Sequence, residues 1–307
     1  MRQVGPLLLS IGVLAIVGCP TGADAAFPGA NGVIVFQHTT ERGVEQADIF
    51  TIRRNGGDRR RLTYTPRRNE FAPAWDATGS RLVFWRSKAP FGFGRIWVMD
   101  ADRGNPRRLT GRRIDAREPT WSPSGRLIAF ASRGDLFTMQ ASDGSHRRRL
   151  TSSRALDFEP AWSPDGRRIV FTRGHERGDV GDLFTIGVRT GKITQITSSR
   201  DYDHQANWSP DGERIVFERD FDRVNGFAVV VANGDGSHLR RLTPKRDGFF
   251  DTGPVFSPTG RQIVFGRDRP SFFADLFVMR ANGEDQERIR RDPLFSSFPD
   301  WQPLTDG

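Results

Sequence analysis

The chain has 307 residues with 33 Gly, 19 Pro, 24 Phe and 7 Trp, a composition that excludes a disordered or fibrous protein. A single cysteine excludes an internal disulfide. Forty-six Lys and Arg against 37 Asp and Glu give a formal charge of +9, which suits an anionic partner and equally suits a solvated surface.

Residues 1–25 read as an export signal: Arg2, an apolar run from Val4 to Val17, then Ala23-Asp24-Ala25 ahead of the expected cleavage point. Ile16-Val17-Gly18-Cys19 also resembles a bacterial lipobox, in which case residues 1–18 are removed and Cys19 carries a lipid anchor. No later stretch approaches the roughly 18 apolar residues of a membrane helix. Residues 26–32 form a short leader, and one domain is expected over 33–307.

The first strands are expected at Val33-Ile34-Val35-Phe36 and Asp48-Ile49-Phe50-Thr51-Ile52, followed by a segment ending in Arg61-Leu62-Thr63. A turn motif then starts at Trp75 and returns as Trp121-Ser122-Pro123-Ser124-Gly125, Trp162-Ser163-Pro164-Asp165-Gly166 and Trp208-Ser209-Pro210-Asp211-Gly212. Phe256 opens a fifth copy and Trp301-Gln302-Pro303 a truncated sixth. A period of about 45 residues is that of a propeller blade of four strands. Each full motif is followed by a short apolar run such as Ile169-Val170-Phe171, a third strand such as Asp182-Leu183-Phe184, and in most repeats an arginine-rich outer segment ending in Leu-Thr. The expected fold is all-β: a six-bladed β-propeller of four-stranded antiparallel blades, in which the C-terminal strand around Trp301 completes the N-terminal blade. Arginine along the outer strands is expected to discourage edge pairing between molecules.

The Trp-Ser-Pro-Asp-Gly turn followed by Ile-Val-Phe resembles the repeats of the TolB family of β-propellers, over nearly all of the chain from Val33 onward. The Trp75-Asp76 pair occupies the Trp-Ser position and is no WD40 signature. The resemblance implies an envelope protein that binds a partner over the mouth of its central channel. Family members with a separate domain ahead of the propeller differ from this chain, where only Ala26 to Gly32 precede the first strand. No Gly-x-Ser-x-Gly elbow accompanies the repeats.

Glu70, Glu118, Asp157, Glu159, Asp203, His204 and Asp251 precede the aromatic anchors and are expected to ring the channel mouth. Such carboxylates suit basic side chains of a partner, or Ca²⁺ in the channel, although no spacing matches a calcium loop. Phe91, Phe93 and Phe272 lie in loops expected at the same mouth and would form an apolar interface. The five histidines show no metal-ligand spacing, and only His204 joins the acidic set. The function expected is non-enzymatic docking of an envelope protein or cell-wall component by an extracytoplasmic monomer. The alternative is a glycan-active enzyme using the mouth carboxylates with His204. The export signal and the once-per-blade spread of arginine argue against nucleic acid.

Overall fold

The computed structural model describes residues 26–41, 44–88, 92–174, 181–199, 201–221, 226–244, 248–269, 273–291 and 296–305. The export signal, Cys19, Phe91 and Phe272 lie outside the described residues. No helix among the described residues is long and apolar enough to cross a membrane.

Strands β1 (Ala30–Glu41), β2 (Val44–Ile52) and β3 (Arg60–Arg61) form one antiparallel sheet, completed by β24 (Ser296–Leu304) on the free side of β1. The expected joining of the two ends of the domain is therefore present, in the order β24-β1-β2-β3. Three more four-stranded blades follow. They are β4 (Asn69–Trp75) to β7 (Arg107–Arg108), β8 (Arg117–Trp121) to β11 (Arg148–Arg149), and β12 (Leu156–Trp162) to β15 (Ile193–Gln195).

The count of six separate blades needs correction. Four blades stand as separate sheets, whereas the strands from β16 (Tyr202–Trp208) to β23 (Glu287–Arg290) belong to one sheet of eight. Its bridge is a short parallel pairing of β18 (Gly226–Asn233) with β20 (Phe249–Phe256), at Gly226 opposite Phe249 and Phe227 opposite Phe250. Beside it the Phe227 ring meets that of Phe250 edge-on at 5.1 Å.

Every inner strand kinks at the same place. The residue three before each aromatic anchor has a left-handed backbone: Ala72, Glu118, Glu159, Gln205, Gly253 and Phe298, with φ between 47° and 58°. Pairing with the second strand slips at this point, as between Phe158 and Ala161. Proline follows in five of the six, at 73, 119, 160, 254 and 299. It disfavours the right-handed helical region for the residue before it, and its missing N–H suits a bulge.

The repeated residues each close a hydrogen bond. Ser122, Ser163, Ser209 and Ser257 accept the amides of Leu127, Arg168, Arg214 and Gln262 across the turn. The terminal threonines 63, 110, 151, 197 and 243 accept third-strand amides at 2.9 to 3.0 Å. Replacing buried Thr243 with valine orphans the Val229 amide, so a loss of about 1 to 3 kcal/mol is expected in urea unfolding. Thr243→Ser should retain most of the stability, and equal losses in the two variants would refute this role.

The outer arginines also join blades. Arg107 donates to the Ser142 carbonyl, Arg148 to that of Val188 at 2.7 Å, and Arg240 to that of Asn282 at 2.9 Å, each in the following repeat. Nearer the centre, Arg81 lies 4.5 Å over the Trp121 ring and Arg168 4.5 Å over Trp208. Much of the basic excess thus serves packing between repeats.

Candidate functional site at the channel mouth

Loops from each outer strand to the next inner strand, and from each second strand to the third, open on one face. The inner strands start there, so the acids preceding each anchor stand near the mouth. They divide into two sets with different partners.

Glu70, Asp157, Asp203 and Asp251 sit five residues before their anchors, directly opposite Arg86, Arg173, Arg219 and Arg267 on the second strands. Arg173 grips Asp157 at 2.6 and 2.8 Å, Arg219 grips Asp203 at 2.5 and 2.7 Å, and Arg267 grips Asp251 at 2.5 and 2.9 Å. Arg86 reaches Glu70 at 2.6 Å. All four acids are buried. Burial still raises the Asp203 carboxyl above its ordinary range against the pull of Arg219, and pushes Glu70 up to about 7.

Glu118 and Glu159 occupy the left-handed kinks and reach sideways around the ring. A Glu118 oxygen accepts the Glu159 amide at 2.7 Å, and a Glu159 oxygen accepts the Gln205 amide at 2.9 Å together with the Thr172 hydroxyl at 2.8 Å. Gln37 does the same for the Ala72 amide, and Asp300 accepts the Trp75 and Trp301 amides at 2.7 and 2.8 Å. One repeat's polar side chain therefore caps the kinked inner strand of the next. Burial pushes Glu118 and Asp300 up to about 8.

His204 is 7% exposed, with its Nδ1 3.0 Å from Glu218 and 3.8 Å from Glu159. Its ring stacks on Tyr202 at 4.5 Å and meets Phe227 edge-on at 4.9 Å. Burial alone would depress the imidazole, but Glu218 and Glu159 outweigh it and push the group up to about 10. His204 is thus a buried cation between two acids. Among the described residues, no group of three or more His, Cys, Asp or Glu side chains is arranged to hold a metal ion.

The exposed part of the mouth is different in character. Phe93 is 63% exposed, and Tyr64 and Leu156, which the sequence reading passed over, are 72% and 48% exposed. Glu218 and Asp300 were also passed over. Glu218 directly follows the run Ile215-Val216-Phe217, and both Glu218 and Asp300 stand where the other repeats carry uncharged residues, which were the available signals.

Residues 132–305 match the TolB beta propeller domain family, PD40. The chain belongs to this family. Within it, the "Tol-Pal system protein TolB" of Rhizorhabdus wittichii is 42% identical over 80 residues, covering 26% of this chain and 17% of that relative. The match thus spans about a sixth of the relative's length. Among solved structures, TolB from Acinetobacter baumannii superposes with a TM-score of 0.75 at 19% identity, covering 90% of this chain and 68% of that one. An oligogalacturonate lyase from Vibrio parahaemolyticus superposes at 0.55 with 15% identity, covering 87% and 74%. Likeness at these identities shows a shared fold, and fold alone does not assign chemistry.

Proposed function

We propose that this TolB-family propeller is a non-enzymatic docking module of the cell envelope, acting outside the cytoplasm as a monomer and engaging a protein partner at its channel mouth. We read the eight-stranded sheet as two blades fused at the mouth, giving six around the ring. The observation that carries the docking reading is a division of labour: the acids that precede the anchors, with His204, are buried and committed to internal bonds, while Tyr64, Phe93 and Leu156 face solvent. In this reading Glu70, Glu118, Asp157, Glu159, Asp203, His204 and Asp251 shape the mouth, and Phe93 with its neighbours touches the partner. Membership of a family that includes a Tol-Pal system protein is consistent with an envelope role.

A glycan-active enzyme is the second reading, favoured by the superposition on an oligogalacturonate lyase and by the His204–Glu218 contact. Burial of His204 and Glu218 opposes it, because a general acid or base must reach the proton it transfers.

Immobilised mature protein should retain one envelope protein, and a Tyr64→Ser, Phe93→Ser double variant with an unchanged melting curve should lose it. Equal retention by both would sink the mouth as docking site. Turnover of polygalacturonate, with or without manganese, would establish the enzyme reading instead.

A further inference from the structure

The loops of the exposed mouth are unusually rich in uncommitted positive charge. Arg67, Arg68, Arg112, Arg113, Arg133 and Arg154 are all exposed, and none has an ion-pair partner among the described residues. They fall in successive mouth loops, from the one before β4 to the one before β12. No exposed carboxylate stands among the described residues of these loops: Asp115 is paired with Arg117 at 3.1 Å, and Asp135 is buried against Arg149.

Hydrogen bonds join four of these mouth segments in two pairs, which stand next to each other in the ridge. Gly94 donates to Asp115 at 2.7 Å and accepts the Ala116 amide at 3.1 Å, which ties the Phe93 loop to the loop of Arg112 and Arg113. Arg95 adds a bond to the Arg112 carbonyl at 2.5 Å. Farther along, the Asp157 amide donates to the Gly134 carbonyl at 2.9 Å, joining the Arg133 turn to the segment of Arg154 and Leu156. Arg133 itself has φ 52° and precedes Gly134 at 81°, a two-residue hairpin whose first position ordinarily favours Asn, Asp or Gly. Arg67 is also left-handed, at 62°.

We infer that this ridge is the docking surface for an acidic segment of a partner protein, one that intersperses carboxylates with apolar side chains. Arginine forks recognise carboxylates with two parallel bonds, and Phe93 and Leu156 supply apolar contacts between them. The aliphatic Leu156 favours a peptide over an acidic polysaccharide, which has no apolar side chain to cover it. This deepens the docking reading and rests on it. The buried acids behind the ridge, once expected to attract a basic partner, are occupied by internal bonds, to arginines for Glu70 and Asp157 and to backbone amides for Glu118 and Glu159.

The test is fluorescence anisotropy of a labelled synthetic peptide alternating glutamate with leucine and phenylalanine. The proteins are mature wild type, an Arg112→Glu, Arg113→Glu, Arg154→Glu variant, and Arg189→Glu on the opposite face as a charge control. Binding that weakens with salt, falls about tenfold or more in the triple variant and is unchanged in the control is the expected result. Phe93→Ser should weaken it without any change of charge. Equal losses in the triple variant and the control would overturn the proposal, leaving only net charge. A peptide indifferent to the triple variant but weakened by Phe249→Ala would leave docking at the mouth intact and remove this ridge from it. Binding of polygalacturonate or anionic vesicles through these arginines, without binding of the peptide, would also overturn it. If none of these probes binds, the ridge proposal falls, while the docking reading is decided separately by retention of an envelope protein on the immobilised protein.

Discussion

Replacing Arg219 with methionine should lower the melting temperature by on the order of 10 °C, since removing one partner of a buried ion pair costs about 3 to 5 kcal/mol. Arg219 is 7% exposed and grips the fully buried Asp203 through two hydrogen bonds, so its loss leaves a carboxylate with little access to water. Asp203→Leu combined with Arg219→Met should recover a substantial part of the loss. Two apolar side chains remove the need to solvate either charge. The comparison is decisive because a purely steric defect would accumulate in the double variant. If the two single losses simply add, the pair does not act as a unit and its place in the fold must be reconsidered.

The second large effect concerns pH, and its direction is unusual. Glu70 and Glu218 are raised to about 7, and Glu118 and Asp300 to about 8, chiefly by burial. At neutral pH the folded protein therefore holds protons that the unfolded chain has released. Stability from these groups is complete below their ordinary values near 4 and is lost as pH rises through 7 to 8. His204 works in the same direction: raised to about 10, it supports folding fully below 6.5 and loses that support as pH climbs through 10. Asp165 and Asp211 oppose the trend only in strong acid. Their burial is outweighed by bonds from Ser163 and Ser209, and their contribution disappears as pH falls through and below 3.8. The melting temperature should peak near pH 5 and fall by several degrees or more toward pH 9. Glu118→Gln, which imitates the protonated acid and can still accept the Glu159 amide, should flatten the slope. A melting temperature that rises between pH 5 and pH 9 would contradict the assignment.

The repeat made the strands and their order legible in the sequence, because Trp-Ser-Pro-Asp-Gly is itself the turn whose serine closes a hydrogen bond in each copy. The acids near the mouth were also found, but their state was not. Whether Asp157 faces solvent depends on what stands opposite it, and that is Arg173, 16 residues later. The same interval separates Glu70 from Arg86, Asp203 from Arg219 and Asp251 from Arg267, so a cross-strand register would have revealed the pairing. The kinks were harder to anticipate. Ala72, Glu118 and Phe298 share a left-handed backbone while having no side-chain chemistry in common, and only the proline that follows them is a local signal. The bridge between β18 and β20 has no sequence signature, because it depends on two loops meeting in space.

The pairing of β24 with β1 also governs when the protein can finish folding. Residues as distant as His38 and Ser296, 258 positions apart, meet across this seam at 2.8 Å. During synthesis the middle blades can assemble as their strands emerge, since each is built from neighbouring segments. The sheet of β1, β2 and β3 has to wait, with one edge unpaired, until Ser296–Leu304 has been made. Contacts between such distant segments form slowly, and an unpaired edge is a site for association in the meantime. The nascent chain is therefore most vulnerable late in translation, and a chaperone that shields the β1 edge would help it most.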